Sequence, residues 1–298
     1  MALIACICLP LAGCEATLFA GLNATDQHED ITGQHGIVFD AAHGLALDVY
    51  RPAHADHAPV VVFFYGGSWA HGERAWYRFV GTALAAHGVL VVIPDYRKVP
   101  QVRLDGFMRD AAGAVAWTRA HAAALGGDPD DVFVMGHSAG GQIAALLATD
   151  PSWLGARGMR PGDLAGLIGL AGCYAFVPIT ATRDQDMREA FGDTPAEQRR
   201  AEPIAHVRGA EPPMLLLQGI DDDEVSPANA IALHRAMLLR NEEATLRLYP
   251  GVGHESLLFA LSRPLRADAP TLEDILAFIR DHPPARPGTP GSLAPATR

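Results

Sequence analysis

Short, unbroken apolar runs recur along this chain, and helix-forming stretches separate them. Residues 59–64 read Pro-Val-Val-Val-Phe-Phe, and 89–94, 131–135, 164–171 and 213–218 are similar runs. Runs of this length without alternation fit strands buried on both faces. Residues 244–249, Ala-Thr-Leu-Arg-Leu-Tyr, alternate and predict a further strand, and 36–39 and 46–50 add two short ones at the front. Helices are expected over 77–87, 106–125, 139–149, 227–239 and 271–281. This order predicts an α/β fold, with a mainly parallel central sheet of about eight strands and helices on both faces. The segment 173–211 is rich in charge and helix formers and reads as a small lid or insertion beside the strand ends. The globular domain then spans 36–281. Residues 282–298, with many Pro and Gly, read as a disordered tail.

Chemistry concentrates where strands end. Gly136-His137-Ser138-Ala139-Gly140 sits between the 131–135 strand and the 139–149 helix. Glycines on either side of a serine permit a turn too sharp for side chains, so the hydroxyl stands clear of the backbone. A serine in such a turn needs a base, and the base needs an orienting acid. The polar loop after the 213–218 strand offers Asp221, Asp222, Asp223 and Glu224. The loop after the 244–249 strand is Pro250-Gly-Val-Gly-His254, in which glycines leave a histidine free to reach across the sheet edge. His254 is therefore the expected base. Of the other histidines, His137 packs within the turn or faces the pocket, and His71, His87, His121, His206 and His234 read as surface or helix residues. Tyr65-Gly-Gly-Ser-Trp69 follows the 59–64 strand, and two glycines allow backbone N–H groups to converge on one point. The expected oxyanion donors are Gly67, Ser68 and Ala139, with Trp69 a packing residue.

These residues resemble the α/β-hydrolase carboxylesterases, whose nucleophile elbow is G-x-S-x-G and whose triad follows in the order Ser, acid, His. The resemblance runs from about residue 36 to 279. Hydrolases often carry G-x-x-D-x-x-V after the acid strand. Gly219 and Val225 set that register here and point to Asp222, with Asp221 or Asp223 as alternatives. Leu47-Asp-Val-Tyr-Arg-Pro52, Ile93-Pro-Asp-Tyr-Arg97 and Gly126-Gly-Asp-Pro-Asp-Asp131 are similar to segments of the hormone-sensitive-lipase-like and BD-FAE-like esterases, in which Asp95 and Arg97 would be structural. Tyr65 stands where most of that group has His, and Ser68 where many have a third Gly. Isoprenylcysteine methylesterases also lack that His, and the stretch 65–148 is similar to theirs. Pro100 is followed by Gln101 rather than the Glu usual in the hormone-sensitive-lipase group, which favours the BD-FAE-like or methylesterase-like side. The resemblance implies a serine carboxylic-ester hydrolase that works through an acyl-enzyme on a small or short-acyl ester. An amidase or peptidase using the same triad, and a non-catalytic binding protein on the same fold, are the alternatives.

A net charge of −11 and the absence of a Lys/Arg-rich run argue against nucleic acid as a partner. No spacing resembles a zinc site, and the expected chemistry requires no metal or cofactor. The first residues carry a separate message. Met1 to Cys14 is apolar and uncharged, and Leu11-Ala12-Gly13-Cys14 resembles a bacterial lipobox. On that reading, 1–13 is a lipoprotein-type signal, Cys14 is lipidated, and 14–35 is a polar tether. The protein would be exported and membrane-anchored on the periplasmic or extracellular side, the alternative being cytoplasmic. Cys173 reads as a small buried residue rather than a nucleophile.

Overall fold

The computed structural model describes residues 12–25, 30–179 and 185–284. The chain opens with α1 (Ala12–Thr25), then β1 (Ile31–Asp40), β2 (Leu45–Pro52) and β3 (Ala58–Phe64). After α2 (Arg78–Ala85) come β4 (Leu90–Pro94), α3 (Leu104–His121) and β5 (Gly127–His137). Then follow α4 (Ala139–Thr149), α5 (Pro151–Gly155), β6 (Gly166–Leu170), α6 (Gln185–Phe191) and α7 (Pro195–Ala201). The last elements are β7 (Met214–Gly219), α8 (Ala228–Leu238), β8 (Ala244–Tyr249), α9 (His254–Phe259) and α10 (Thr271–Asp281).

The strands form one eight-stranded sheet in the order β1-β2-β4-β3-β5-β6-β7-β8. β2 runs antiparallel to both β1 and β4, and all pairings from β4 to β8 are parallel. Residues 60–64 and 132–135 are completely buried, which requires cover on both faces and explains why their sequence does not alternate. Helices α2 and α10 touch each other in one layer, and α3 packs on α4 in another. The carboxyl ends of β3, β5, β7 and β8 therefore open on one edge, where ligands of open α/β sheets bind. The expected sheet and its connecting helices are thus present.

The front of the chain differs from expectation. A polar tether was expected over 14–35, yet α1 occupies 12–25 and β1 begins at Ile31. Two apolar side chains one turn apart, Phe19 and Leu22, are buried beneath α1. Phe19 stacks on Trp76 at 5.3 Å and meets Tyr77, Phe79 and Phe259. Asn23 clasps the helix in place: its amide donates to the carbonyls of Ala75 and Trp76, both at 3.1 Å, and its oxygen accepts the Phe79 N–H at 3.0 Å. β1 is longer than the 36–39 strand expected because an edge strand held by backbone ladder bonds needs no apolar pattern; most of its side chains are exposed. Residues 1–11 of the signal-like segment and 285–298 of the expected tail lie outside the described residues. Among the described residues, no helix is long and apolar enough to cross a membrane.

Candidate active site

β5 ends at His137, Ser138 has φ +54° and ψ −121°, and α4 starts at Ala139. A non-glycine residue held there stores strain of about 1–3 kcal/mol. The flanking glycines make the turn possible. A Cβ on Gly136 would lie 2.1 Å from the Gly140 carbonyl oxygen, and one on Gly140 would lie 2.0 Å from that of Phe64. The Ser138 N–H donates to the Leu170 carbonyl at 3.0 Å, tying the turn to the neighbouring strand.

The loop after β3 lies directly on this turn, since a Cβ on Gly66 would come within 3.1 Å of the Ser138 Cβ. Gly67, Ser68 and Trp69 have φ of +114°, +50° and +59°. The Gly67 carbonyl accepts the N–H groups of Ala70 and His71 at 3.0 and 2.8 Å, which curls the loop. Trp69 anchors it: its indole N–H donates to Gln142 Oε1 at 2.9 Å, and the Gln142 amide donates to the Ala201 carbonyl at 2.7 Å. The loop, α4 and the 173–211 insertion are thereby linked. Tyr65 is fully buried between Tyr77 and Tyr96, with ring centroids at 5.2 and 4.9 Å. The Tyr96 hydroxyl donates to the Tyr65 carbonyl at 2.9 Å. An aromatic stack of Tyr77, Tyr65 and Tyr96 thus supports the loop. Asp95 pairs with Arg74, and Arg97 grips both Asp110 oxygens at 2.9 and 2.7 Å, which makes both residues of the Asp95/Arg97 segment structural.

Of the four acids after β7, Asp222 is the one that meets His254 Nδ1, with Oδ2 at 2.8 Å. Asp222 is itself held from three sides. Its Oδ1 accepts the N–H groups of Glu224 and Val225 at 3.0 and 2.8 Å, and Oδ2 also accepts Gln218 Nε2 at 2.8 Å. Burial pushes the Asp222 carboxyl up, but the His254 hydrogen bond and charge, with the Val225 N–H and Gln218, bring it below its ordinary value. Burial likewise opposes charge on His254. The Asp222 hydrogen bond and the negative charges of Asp222, Glu224 and Glu255 outweigh it, so the imidazole is raised. His254 opens α9 rather than lying in a loop, with Gly253 as its N-cap. His137 faces the same cavity, and its Nε2 lies 3.1 Å from the His254 carbonyl oxygen. An acceptor there makes Nε2 the protonated nitrogen. Burial, with the His254 charge, drives the His137 pKa down to about 3, so this ring is neutral.

Ser138 lines two cavities. One of about 470 Å³ is bounded by Phe19, Trp76, Tyr77, His254, Glu255 and Phe259. The other, about 280 Å³, is bounded by Trp69, Ala139, Cys173, Asp186, Met187 and Asp223. Ser68 and Glu224 border both. The insertion reaches the site through Asp186 and Met187, and Cys173 is half-buried at its start. The exposed His71, expected only on the surface, also borders the larger cavity. Among the described residues, Asp40, His43 and Asp110 are the one group with metal-ligand proximity. None of them lines these cavities, and Asp110 is already neutralised by Arg97.

Nothing in the sequence marks the contributions of Phe19, Gln218 and Glu224. Phe19 sits in a stretch without period, and Gln218 reads as the end of an apolar strand. Glu224 reads as one of four candidate acids, yet its Oε2 lies 3.9 Å from His254 Nε2, the nitrogen opposite the Asp222 bond.

A family model described as BD-FAE matches residues 47–237. The chain belongs to the BD-FAE family. The match takes in the elbow, the loop after β3 and Asp222, whereas His254 lies beyond it. This BD-FAE chain is 29% identical over 269 residues to isoprenylcysteine alpha-carbonyl methylesterase ICME of Arabidopsis thaliana, covering 84% of this chain and 62% of the relative. It is 32% identical over 231 residues to esterase LipC of Mycobacterium tuberculosis, covering 70% and 56%. The chain thus spans a little over half the length of these curated relatives. Among solved structures, esterase 2 of Thermogutta terrifontis is 25% identical with a TM-score of 0.68, covering 85% of this chain and 94% of that one, and was solved with propionate bound. The BD-FAE chain has the α/β-hydrolase fold that these resemblances predict.

Proposed function

We propose that this protein hydrolyses carboxylic esters through an acyl-enzyme on Ser138. His254 takes the hydroxyl proton as Ser138 attacks the ester carbonyl. Asp222 keeps Nδ1 protonated, so that Nε2 is free to accept, and stabilises the imidazolium that forms. The N–H groups of Gly67, Ser68 and Ala139 hold the oxyanion. Ala139 is the first residue of α4, so its N–H has no partner within the helix. Each such donor contributes about 3 kcal/mol of transition-state stabilisation. The protonated alcohol leaves, and water activated by His254 releases the acid.

One observation carries this reading: the histidine held by the buried Asp222 hydrogen bond lines the same cavity as the strained Ser138 turn. The names of the relatives agree with it, and the methylesterase relatives place methyl esters among the substrates worth testing. The test is treatment with a serine-directed phosphonate, peptide mapping of the adduct, and turnover of p-nitrophenyl acetate. Labelling at Ser138, with both labelling and turnover lost in Ser138→Ala, is expected. An unlabelled Ser138 or an active Ser138→Ala protein refutes the mechanism.

We also propose that Cys14 is the lipid attachment site and that the exported protein sits at a membrane surface. The Leu11-Ala12-Gly13-Cys14 sequence supports this. Metabolic labelling with palmitate should mark the wild-type chain and not Cys14→Ser; equal labelling of both rules it out.

A further inference from the structure

The two cavities at Ser138 differ in size, in lining and in access to His254. These differences fix which half of an ester enters each one. In acylation, the Ser138 oxygen bonds to the carbonyl carbon and the carbon–oxygen bond to the alcohol breaks. The proton removed from Ser138 passes from His254 Nε2 to the departing oxygen. The departing oxygen must therefore lie on the His254 side. His254 borders the larger cavity and not the smaller one. The alcohol accordingly occupies the larger cavity, and the acyl chain the smaller, which Ser138 shares with Ser68 and Ala139.

The linings then state the chemistry. The alcohol side offers about 470 Å³ walled by Phe19, Trp76, Tyr77, Leu258 and Phe259. Its aromatic wall is preassembled: Phe19 from α1 stacks on Trp76 and stands edge-on to Phe259. Such a wall favours a flat apolar group. The acyl side has about 280 Å³ and no aromatic wall beyond Trp69; Asp186 and Asp223 border it beside Met187, while Glu224 borders both cavities and Glu255 the larger. Desolvating carboxylates against a bulky apolar acyl chain is unfavourable. We infer that the enzyme prefers short-acyl esters of bulky apolar or aromatic alcohols, and that Phe19, carried in by the N-terminal helix, is a specificity-determining residue for the alcohol. This inference rests on the serine-esterase reading above.

Two isomeric esters separate the orientations. Phenethyl acetate places the phenyl group on the alcohol, and methyl hydrocinnamate places it on the acid. Both release an unactivated alkyl alcohol. The expected kcat/KM favours phenethyl acetate by about tenfold or more, the discrimination typical of an apolar pocket. Phe19→Ala should lower kcat/KM for phenethyl acetate about tenfold more than for methyl acetate, mainly through KM. Trp76→Ala provides the same test from the other side of the stack. Equal or faster turnover of methyl hydrocinnamate overturns the assignment, as does a Phe19→Ala or Trp76→Ala loss that is the same for phenethyl and methyl acetates. Turnover of p-nitrophenyl acetate by the same preparation keeps the two claims apart. Its absence counts against the esterase reading, and its presence with the reversed isomer preference counts against the orientation alone.

Discussion

Replacing Asp222 by Asn tests the site where its hydrogen bonds are most completely specified. The carboxylate accepts four hydrogen bonds: two backbone N–H groups at Oδ1, and His254 Nδ1 with Gln218 Nε2 at Oδ2. An asparagine has one oxygen and one NH₂ to fill these positions. With the oxygen turned to the Glu224 and Val225 N–H groups, the NH₂ faces His254 Nδ1 and makes that nitrogen an acceptor. The proton then sits on Nε2, the nitrogen that takes the serine proton in the proposed mechanism. The same NH₂ meets the Gln218 amide donor to donor. The flipped rotamer restores an acceptor to His254 but leaves two buried N–H groups unpaired, at about 1–3 kcal/mol each. The backbone-bonded rotamer therefore wins, and the wrong tautomer with it. A fall in kcat/KM of about 10³–10⁴-fold is expected, equal to about 4–5 kcal/mol of lost transition-state stabilisation. Thermal unfolding should shift by only a few degrees, because the backbone bonds at Oδ1 survive. Initial rates on p-nitrophenyl acetate, with the second-order rate of phosphonate labelling, measure the loss. Asp223→Asn is the internal control: Asp223 borders the acyl cavity without touching His254, so its effect should stay within about tenfold. Retention of more than a tenth of wild-type activity by Asp222→Asn, or a larger loss from Asp223→Asn, would break the argument.

Glu224→Gln bears on pH dependence. The charges of Asp222, Glu224 and Glu255 raise His254, while burial lowers it, and activity needs the imidazole neutral. Removing the Glu224 charge lowers the His254 pKa, so the acidic limb of the kcat/KM profile should move to lower pH; movement to higher pH contradicts the proposal. Glu224 itself is pushed up to about 6 by burial, its hydrogen bond with Glu255 and the surrounding negative charge, so part of this effect fades below that pH in the wild type. The same couplings govern stability with opposite signs. The raised His254 stabilises the fold at pH values below its unfolded pKa, and that contribution is lost as pH rises through the folded value. The lowered Asp222 contributes above its unfolded pKa, and that contribution is lost as pH falls through the folded value. Unfolding free energies measured against pH in wild type and Asp222→Asn should therefore differ most in the window between. Trp69→Phe keeps the ring but leaves Gln142 Oε1 buried without its donor, so stability should drop by about 1–2 kcal/mol in denaturant unfolding and kcat should fall more than KM rises. Asn23→Ala removes three hydrogen bonds that hold α1, and hydrogen exchange in residues 16–25 should accelerate with the sheet unchanged.

What the sequence reveals about this protein follows from how each part is held. Strands buried on both faces must be apolar throughout, so β3 to β7 are written plainly, and the glycines at 136 and 140 are demanded by backbone contacts that no side chain can occupy. The acidic loop by itself leaves its acids open, and it is the register shared with related hydrolases that points to Asp222, whose side chain caps the Glu224 and Val225 N–H groups. By contrast, β1 is an exposed edge held by main-chain bonds, and main-chain bonds leave no trace in side-chain identity. The helix α1 is harder still to read. Its anchorage consists of two apolar contacts and one asparagine clasp, and all their partners lie more than fifty positions away. A segment whose stability comes from partners that distant looks like a tether when viewed alone. The elbow glycines are thus legible from local constraint, and the acid only from a family register. The Phe19–Trp76 wall of the larger cavity is built by long-range docking, and for that reason the substrate choice has to be argued from cavities rather than from motifs.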